Sequence, residues 1–291
     1  MSPPPSSQAQ PERAGGLRFA VSKATVGNDF DALSASLLPG HDVEAGYLPG
    51  VDAFHRLLEM VRAQERRFGW HFPISLADQS VQETRPGAES LTLEVLERDL
   101  QVVAPYQPEY AIVHLRFERP EGDPEPHLER IARLLVDRLA GAGIPAAVEP
   151  KVLLDEGWIP AWTARRPARL PAAVPGLHYC LDIGDYYLAA RGENADPYEW
   201  MARVAPWARV VHLHLVRWPR EQPYHVWEPV HPSVKGGGGV LDVDLALQAI
   251  VPELPAECTL TFEHLPVRCP SLEYAQEGYL WTVERVKELR R

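Results

Sequence analysis

Pro145-Ala-Ala-Val-Glu149 is a short apolar run that ends on a carboxylate, and three later runs are built in a similar way. They are His178-Tyr-Cys-Leu-Asp182, Val210-Val-His-Leu-His214-Leu and Thr259-Leu-Thr-Phe-Glu263. A carboxylate at the end of an apolar strand is unfavourable to bury unless a partner neutralises it. Four such ends indicate one shared site, and carboxylates combined with an imidazole are typical of a divalent metal site.

The alternation of side chains along these runs is consistent with strands that have a polar inner face and an apolar outer face. Residues two apart in a strand face the same side of a sheet. If Glu149, Asp182, His214 and Glu263 face inward, the residues between them face outward and suit packing against helices. These outward residues are Val148, Leu181, Leu213, Leu215, Leu260 and Phe262.

Strand-like and helix-like patterns alternate along the rest of the chain, which is typical of parallel βαβ units. Eight units in 291 residues predict an α/β fold, a single-domain (β/α)8 TIM barrel over residues 17–291. A doubly wound open sheet is the alternative, and the absence of a G-x-G-x-x-G or P-loop motif after the first run weakens it. The predicted strands are 17–21, 43–47, 69–74, 110–117, 144–149, 177–182, 209–216 and 257–263. The predicted helices are 51–67, 91–103, 126–142, 197–204, 241–250 and 272–289.

Two other segments carry no regular pattern. Residues 1–16 are rich in Pro, Ser, Gln and Gly, and we expect a disordered N-terminal tail there. Residues 151–175 show no clear helical period, which predicts an irregular lid over the barrel.

Composition limits the class of protein. The formal charge of −11 disfavours a nucleic-acid-binding role, because phosphate contacts need a basic surface. No apolar stretch approaches the length of a membrane span, and the N-terminus lacks the apolar core of a signal peptide. Cys180, Cys258 and Cys269 match no zinc spacing and no disulfide framework, so we expect a reducing, cytoplasmic setting.

The order and spacing of the four runs resemble the xylose isomerase-like TIM barrels, the sugar phosphate isomerase and epimerase group. The matching stretches are Val148-Glu149-Pro150, Leu181-Asp182-Ile183-Gly184, His212-Leu213-His214 and Thr261-Phe262-Glu263. The resemblance implies that Glu149, Asp182, His214 and Glu263 bind one divalent metal ion. It also implies that Glu149 and Glu263 act as acid and base on a substrate carbon. An oxygen-rich ligand set favours Mn²⁺ or Mg²⁺, and the single imidazole leaves Co²⁺, Fe²⁺ and Zn²⁺ open.

Further polar residues near the predicted strand ends are expected to contact substrate: His71, His114, Asp185 and Arg220. Asp185 departs from the family pattern, which has His at this position. A carboxylate cannot donate a hydrogen bond unless it is protonated, so we expect Asp185 to bind an amine or cation, or to pair with a loop arginine. We interpret His212 as a core histidine that is hydrogen-bonded to a neighbour, and Glu44 as a structural residue.

The resulting hypothesis is a divalent-metal-dependent isomerase or epimerase. It would act on a sugar, sugar phosphate or polyol by proton transfer next to a carbonyl. A metal-dependent lyase, of the keto-inositol or 3-dehydroshikimate dehydratase type, is an alternative, and so is a sugar-binding barrel without activity. The apurinic endonuclease branch is disfavoured by the net charge. The expected partner is a small molecule, with no nucleic acid and no membrane, and a homodimer is compatible with the sequence.

Overall fold

A closed barrel of eight parallel strands forms the centre of the molecule. The computed structural model describes residues 16–27, 29–78, 89–116, 119–152, 157–218 and 227–291. The strands follow one another around the barrel in chain order, and β1 pairs with both β2 and β8. This arrangement confirms the predicted single-domain (β/α)8 TIM barrel. The strands are β1 Arg18–Ser22, β2 His41–Ala45, β3 Phe68–His71, β4 Ala111–Leu115, β5 Ala146–Pro150, β6 Leu177–Asp182, β7 Ala208–Leu213 and β8 Thr259–Phe262.

Helices lie between the strands, and the six that the sequence predicts are all present. Ten α-helices occur among the described residues. They are α1 Phe30–Ser36, α2 Val51–Ala63, α3 Glu89–Val103, α4 Glu125–Gly141, α5 Trp158–Arg165, α6 Arg169–Ala173, α7 Ile183–Gly192, α8 Pro197–Val204, α9 Val243–Ile250 and α10 Leu272–Leu289. Helices α1, α5, α6 and α7 were not predicted.

The expectation that residues 151–175 lack regular structure is wrong, because α5 and α6 lie within this segment, while its role as a lid stays a prediction. Every residue of α5 from Trp158 to Ala164 is buried, and α7 is buried from Ile183 to Ala190. A helix that is covered on all sides needs no polar face, so its sequence lacks the 3.6-residue alternation from which helices are predicted. Residues 153–156 lie outside the described part of the chain.

Two groups of apolar side chains separate the inside of the barrel from the outside. Tyr110, Ile112, Ala147, Cys180 and Val210 form a cluster within the barrel. The outward residues, which include Val148, Leu181 and Phe262, belong to the larger core beneath the helices. This division confirms the predicted alternation along β5, β6 and β8.

The inner cluster forms the floor of the barrel beneath the candidate site. The ring of Tyr110 lies directly against Gly69, where an added Cβ would be 2.1 Å from the ring. The Tyr110 hydroxyl donates a hydrogen bond to Glu44 on β2, with an oxygen–oxygen distance of 3.2 Å. Thr261 on β8 donates to the same carboxylate at 3.3 Å. The floor therefore fixes the Glu44 carboxylate directly below the mouth of the barrel.

Three other predictions concern the cysteines, membrane-spanning segments and the N-terminal tail. Cys180, Cys258 and Cys269 are all free thiols. None of the helices in the described ranges combines the length and the apolar character needed to cross a membrane. Residues 1–15, which hold nearly all of the predicted tail, lie outside the described residues.

Candidate active site

The four acidic and imidazole residues predicted from the strand ends lie together at the C-terminal mouth of the barrel. Glu149 is the penultimate residue of β5 and Asp182 is the last residue of β6. His214 and Glu263 directly follow β7 and β8. None of the four side chains is more than 3% exposed to solvent. Their position agrees with that of the active sites of TIM-barrel enzymes, which are built on the carboxyl ends of the strands.

A lysine that the sequence analysis did not single out lies in the middle of this set. Lys151 is the first residue after β5, and its Nζ donates hydrogen bonds to Glu149 Oε1 at 2.8 Å and to Asp182 Oδ2 at 3.0 Å. The same Nζ is 2.6 Å from Asp185 Oδ2. An ammonium group has three N–H donors. In this site, the ammonium donates to two carboxylates and forms a close ion pair with a third.

The other oxygen of Glu149 faces two histidines. Glu149 Oε2 is 3.3 Å from His71 Nε2 and 3.1 Å from His114 Nε2. The hydroxyl of Tyr47 lies 3.3 Å from the same nitrogen of His114. The structure thus brings His71 and His114 into the centre, and their contact with substrate stays a prediction.

A third histidine joins the two glutamates to the floor of the barrel. His212 Nδ1 is 3.1 Å from Glu263 Oε2 and 3.5 Å from Glu149 Oε1. Its Nε2 lies 3.1 Å from Glu44 Oε1. His212 is completely buried, which agrees with its interpretation as a core histidine, and Glu44 acts beneath it as a structural partner.

Asp182 and His214 are held by the start of helix α7. Asp182 Oδ1 accepts hydrogen bonds from the backbone N–H groups of Gly184 at 2.8 Å and Asp185 at 3.0 Å, as an N-cap residue does. His214 Nε2 lies 2.9 Å from the same oxygen. Gly184 makes this approach possible, because an added Cβ would be 2.3 Å from His214 Cε1. The indole of Trp227 covers the imidazole, with 5.4 Å between the ring centroids.

The charges in the centre stabilise one another. Burial alone would raise the pKa values of Glu149 and Asp182, but Lys151, with His114 beside Glu149 and His214 beside Asp182, lowers both well below their usual range. Burial alone would lower the pKa of Lys151, and the surrounding carboxylates raise it well above its usual value instead. For His114 burial prevails over Glu149 and lowers the pKa to about 4. At neutral pH the site therefore contains ionised carboxylates, a charged ammonium and a neutral His114.

Buried clusters of His, Glu and Asp in the described residues could hold a metal ion. Asp182, His214 and Glu263 each offer one ligand atom within 4.8 Å of the others, and so do Glu149, Asp182 and Asp185. Glu149 is not part of the first of these clusters, and the ammonium of Lys151 lies between Glu149 and Asp182. A metal ion bound by all four predicted ligands would have to displace this ammonium. With Lys151 in place, the four-residue set does not fit the ion.

Two of the remaining predictions have different outcomes. Asp185 pairs with the ammonium of Lys151, and its Oδ1 accepts a hydrogen bond from the backbone N–H of Val152 at 3.2 Å, while its contact with substrate stays a prediction. Arg220 lies outside the described residues. The direction of the Lys151 side chain could have been expected from the sequence, because it is two residues after Glu149 and therefore faces the same way, but its partners could not.

Comparison with known proteins yields structural neighbours only. No protein-family model matches the chain, and no curated protein matches it. A D-tagatose 3-epimerase-like protein is similar in structure, with a TM-score of 0.63 at 15% identity, over 94% of this chain and 98% of that one. The 3-keto-D-glucoside 4-epimerase from E. coli has a TM-score of 0.60 at 12% identity, over 92% of this chain and 99% of that one. A Thermus thermophilus protein studied after soaking with ZnCl2 has a TM-score of 0.55 at 20% identity, over 92% of this chain and 97% of that one. The structural neighbours are xylose isomerase-like TIM barrels, which confirms at the level of the fold the resemblance inferred from the sequence.

Proposed function

We propose that the protein is an isomerase or epimerase that acts on a sugar, sugar phosphate or polyol. It would move a proton at a carbon atom next to a carbonyl group. The observation that carries the proposal is the pair of buried glutamates, Glu149 and Glu263, which meet the same nitrogen of His212 at the mouth of the barrel. The choice of substrate class is supported by neighbours that are sugar epimerases, although a shared fold alone does not fix a function.

The two glutamates have different neighbouring side chains, and we assign the roles of base and acid from this difference. Glu149 contacts Lys151, His71 and His114, whereas the ion-pair partner of Glu263 is His212. Because Glu149 is already held by a lysine ammonium, we assign the removal of the substrate proton to Glu263. Glu149 is ionised at neutral pH, so in an epimerisation it would first take up a proton from solvent and then return that proton to the opposite face of the carbon, while Glu263 later releases the proton that it removed.

Stabilisation of the negative charge that develops on the carbonyl oxygen requires a cation or hydrogen-bond donors near the two glutamates. A divalent ion such as Mn²⁺ or Mg²⁺ held by Glu149, Asp182, His214 and Glu263 would supply it by polarising the carbonyl oxygen, but these four residues do not fit the ion while the ammonium of Lys151 lies among them. In the metal-free form, the candidate hydrogen-bond donors are His71 and His114. Lys151 contributes a nearby positive charge, because its ammonium already donates to Glu149 and Asp182.

Exchange of a substrate proton with solvent tests the proposal. We would incubate the protein in D2O with a panel of ketoses, sugar phosphates and keto-cyclitols and follow deuterium incorporation by NMR. We expect deuterium at the carbon next to the carbonyl, and a loss of about 100-fold or more in Glu263→Gln, as is usual when a general base is removed. Glu257→Gln is the matched control, because Glu257 is exposed and precedes β8 at the opposite end of the barrel.

Other outcomes of this experiment would replace the proposal. An unsaturated product would show that the protein is a lyase of the dehydratase type, which uses the same proton removal and then expels hydroxide. Sugar binding without any exchange across the panel would show a barrel that binds but does not catalyse. Exchange that persists in Glu263→Gln at the wild-type rate would contradict the assignment of the base.

A further inference from the structure

We infer that the ammonium group of Lys151 takes the place of a divalent cation in this centre, so that the chain carries its own cation and assembles the site without a bound metal. The inference goes beyond the proposed reaction. It concerns which positive charge holds the carboxylates together, and it does not depend on which substrate is turned over.

The first support is the position of the ammonium. Lys151 Nζ lies between 2.6 and 3.0 Å from one oxygen each of Glu149, Asp182 and Asp185. A divalent ion that bound the same oxygens would sit about 2.0–2.6 Å from each of them. The ammonium and the ion would therefore compete for one position, and they exclude each other there.

The second support is that the ammonium is built into the site. Lys151 is only 6% exposed, and its Nζ also lies 5.4 Å from the centre of the Trp227 ring. Because it follows Glu149 by two residues at the end of β5, the strand directs both side chains into the barrel mouth. Lys151 differs from a surface lysine beside a cleft, because it contacts three buried carboxylates. If its side chain moved away, all three negative charges would be left uncompensated in a buried place.

Asp185 completes the pocket for the amine. Its carboxylate is 2% exposed, and the backbone N–H of Val152 fixes one oxygen while the other faces Lys151. Neither Asp185 nor Lys151 would be favourable as an isolated charge in this buried place. Together they form an ion pair that adds a third carboxylate oxygen to the two from Glu149 and Asp182 around the amine.

The neighbouring cluster of Asp182, His214 and Glu263, which could hold a metal ion, is also affected by this ammonium. Asp182 would have to serve as a ligand in the cluster with His214 and Glu263, and its other oxygen already accepts from Lys151 at 3.0 Å. An ion in that cluster would therefore share a carboxylate with a positive charge. In a buried site such like-charge repulsion is only weakly screened.

Metal binding measured without any sugar tests the inference. The full chain would be treated with EDTA and desalted, and Mn²⁺ binding would be measured by calorimetry and by the EPR signal of free Mn²⁺. The variant is Lys151→Met, which removes the charge but keeps a long side chain. The control is Lys287→Met, because Lys287 is a surface lysine that pairs with Glu284 on helix α10 at 2.9 Å.

We expect Lys151→Met to bind one Mn²⁺ at least about tenfold more tightly than the wild type and Lys287→Met, a difference of about 1.4 kcal/mol. Stoichiometric Mn²⁺ in the wild type, bound as tightly as in Lys151→Met, would overturn the inference. If Lys151→Met does not fold, the wild type is compared with Asp182→Asn. If the wild type binds one Mn²⁺ and Asp182→Asn does not, the inference is overturned. If the wild type binds no stoichiometric Mn²⁺, the inference is supported. Because no substrate is present, this result is independent of the D2O exchange that tests the proposed function.

Discussion

Replacing Lys151 by Met should strongly destabilise the metal-free protein. The substitution removes the only lysine among three carboxylates, which lie 2.6–3.0 Å from Nζ and are at most 2% exposed. Removing one partner from a buried ion pair typically lowers the free energy of unfolding by about 3–5 kcal/mol, because the other charge is left uncompensated. We expect a loss in this range for Lys151→Met, even though Met fills nearly the same volume.

Urea unfolding followed by circular dichroism in the presence of EDTA measures this loss. Lys287→Met provides the comparison, because its ion pair with Glu284 has a similar length of 2.9 Å while the two side chains are 28% and 65% exposed. Such a surface pair is worth only about 0.2–0.5 kcal/mol. A loss below about 1 kcal/mol in Lys151→Met, or one no larger than in Lys287→Met, would refute the reasoning.

Mn²⁺ should restore part of the stability that Lys151→Met loses. A ligand that binds only the folded state stabilises it by about 2.7 kcal/mol at 100 times its dissociation constant. At the same Mn²⁺ concentration the wild type, in which the ammonium holds the same oxygens, should gain at most about 1.4 kcal/mol, as follows from binding at least tenfold weaker. An equal gain in both proteins would show that the lysine and the ion do not compete.

Two further predictions concern the barrel outside the candidate active site. Burial, with a smaller contribution from Arg66, lowers the pKa of His41 from 6.5 to about 4, so the folded state resists protonation more than the unfolded state does. The resulting stability is present above pH 6.5 and falls by up to about 3 kcal/mol as the pH drops through 4. The melting temperature should therefore depend less on pH in His41→Leu than in the wild type. The same dependence of the melting temperature on pH in both proteins would contradict the prediction. Gly69→Ala should lower the free energy of unfolding by about 1–3 kcal/mol, because the new Cβ would lie 2.1 Å from the ring of Tyr110. Gly141→Ala, in helix α4 with no atom within 4 Å of the new Cβ, should be neutral or slightly stabilising, and equal losses in the two variants would refute the steric argument.

The sequence was sufficient to predict the barrel and the residues that surround its mouth. Alternation along β5, β6 and β8 identified the inward carboxylates, since a period of two is visible even in runs of four to six residues. The helices that were missed, such as α5 and α7, are buried on nearly every side and therefore show no polar face. Their existence depends on tertiary packing, which one sequence does not reveal.

The contacts within the site were harder to predict than its location. Lys151 was included in the segment 151–175, which shows no regular pattern in the sequence, and its charge was not connected with the four strand ends. Its role depends on a third carboxylate, Asp185, that comes from the first turn of α7, a helix that was not predicted. Asp185 was expected from the sequence to bind an amine, a cation or a loop arginine, but its pairing with Lys151 became clear only from the three-dimensional arrangement.

A crystal structure of the wild-type protein grown with Mn²⁺, with anomalous diffraction data, tests the central claim most directly. We predict that the amine of Lys151 lies among Glu149, Asp182 and Asp185, as in the arrangement described above, and that no anomalous peak occurs at this position. An anomalous peak within bonding distance of Glu149 and Asp182, with the Lys151 side chain turned away, would contradict it.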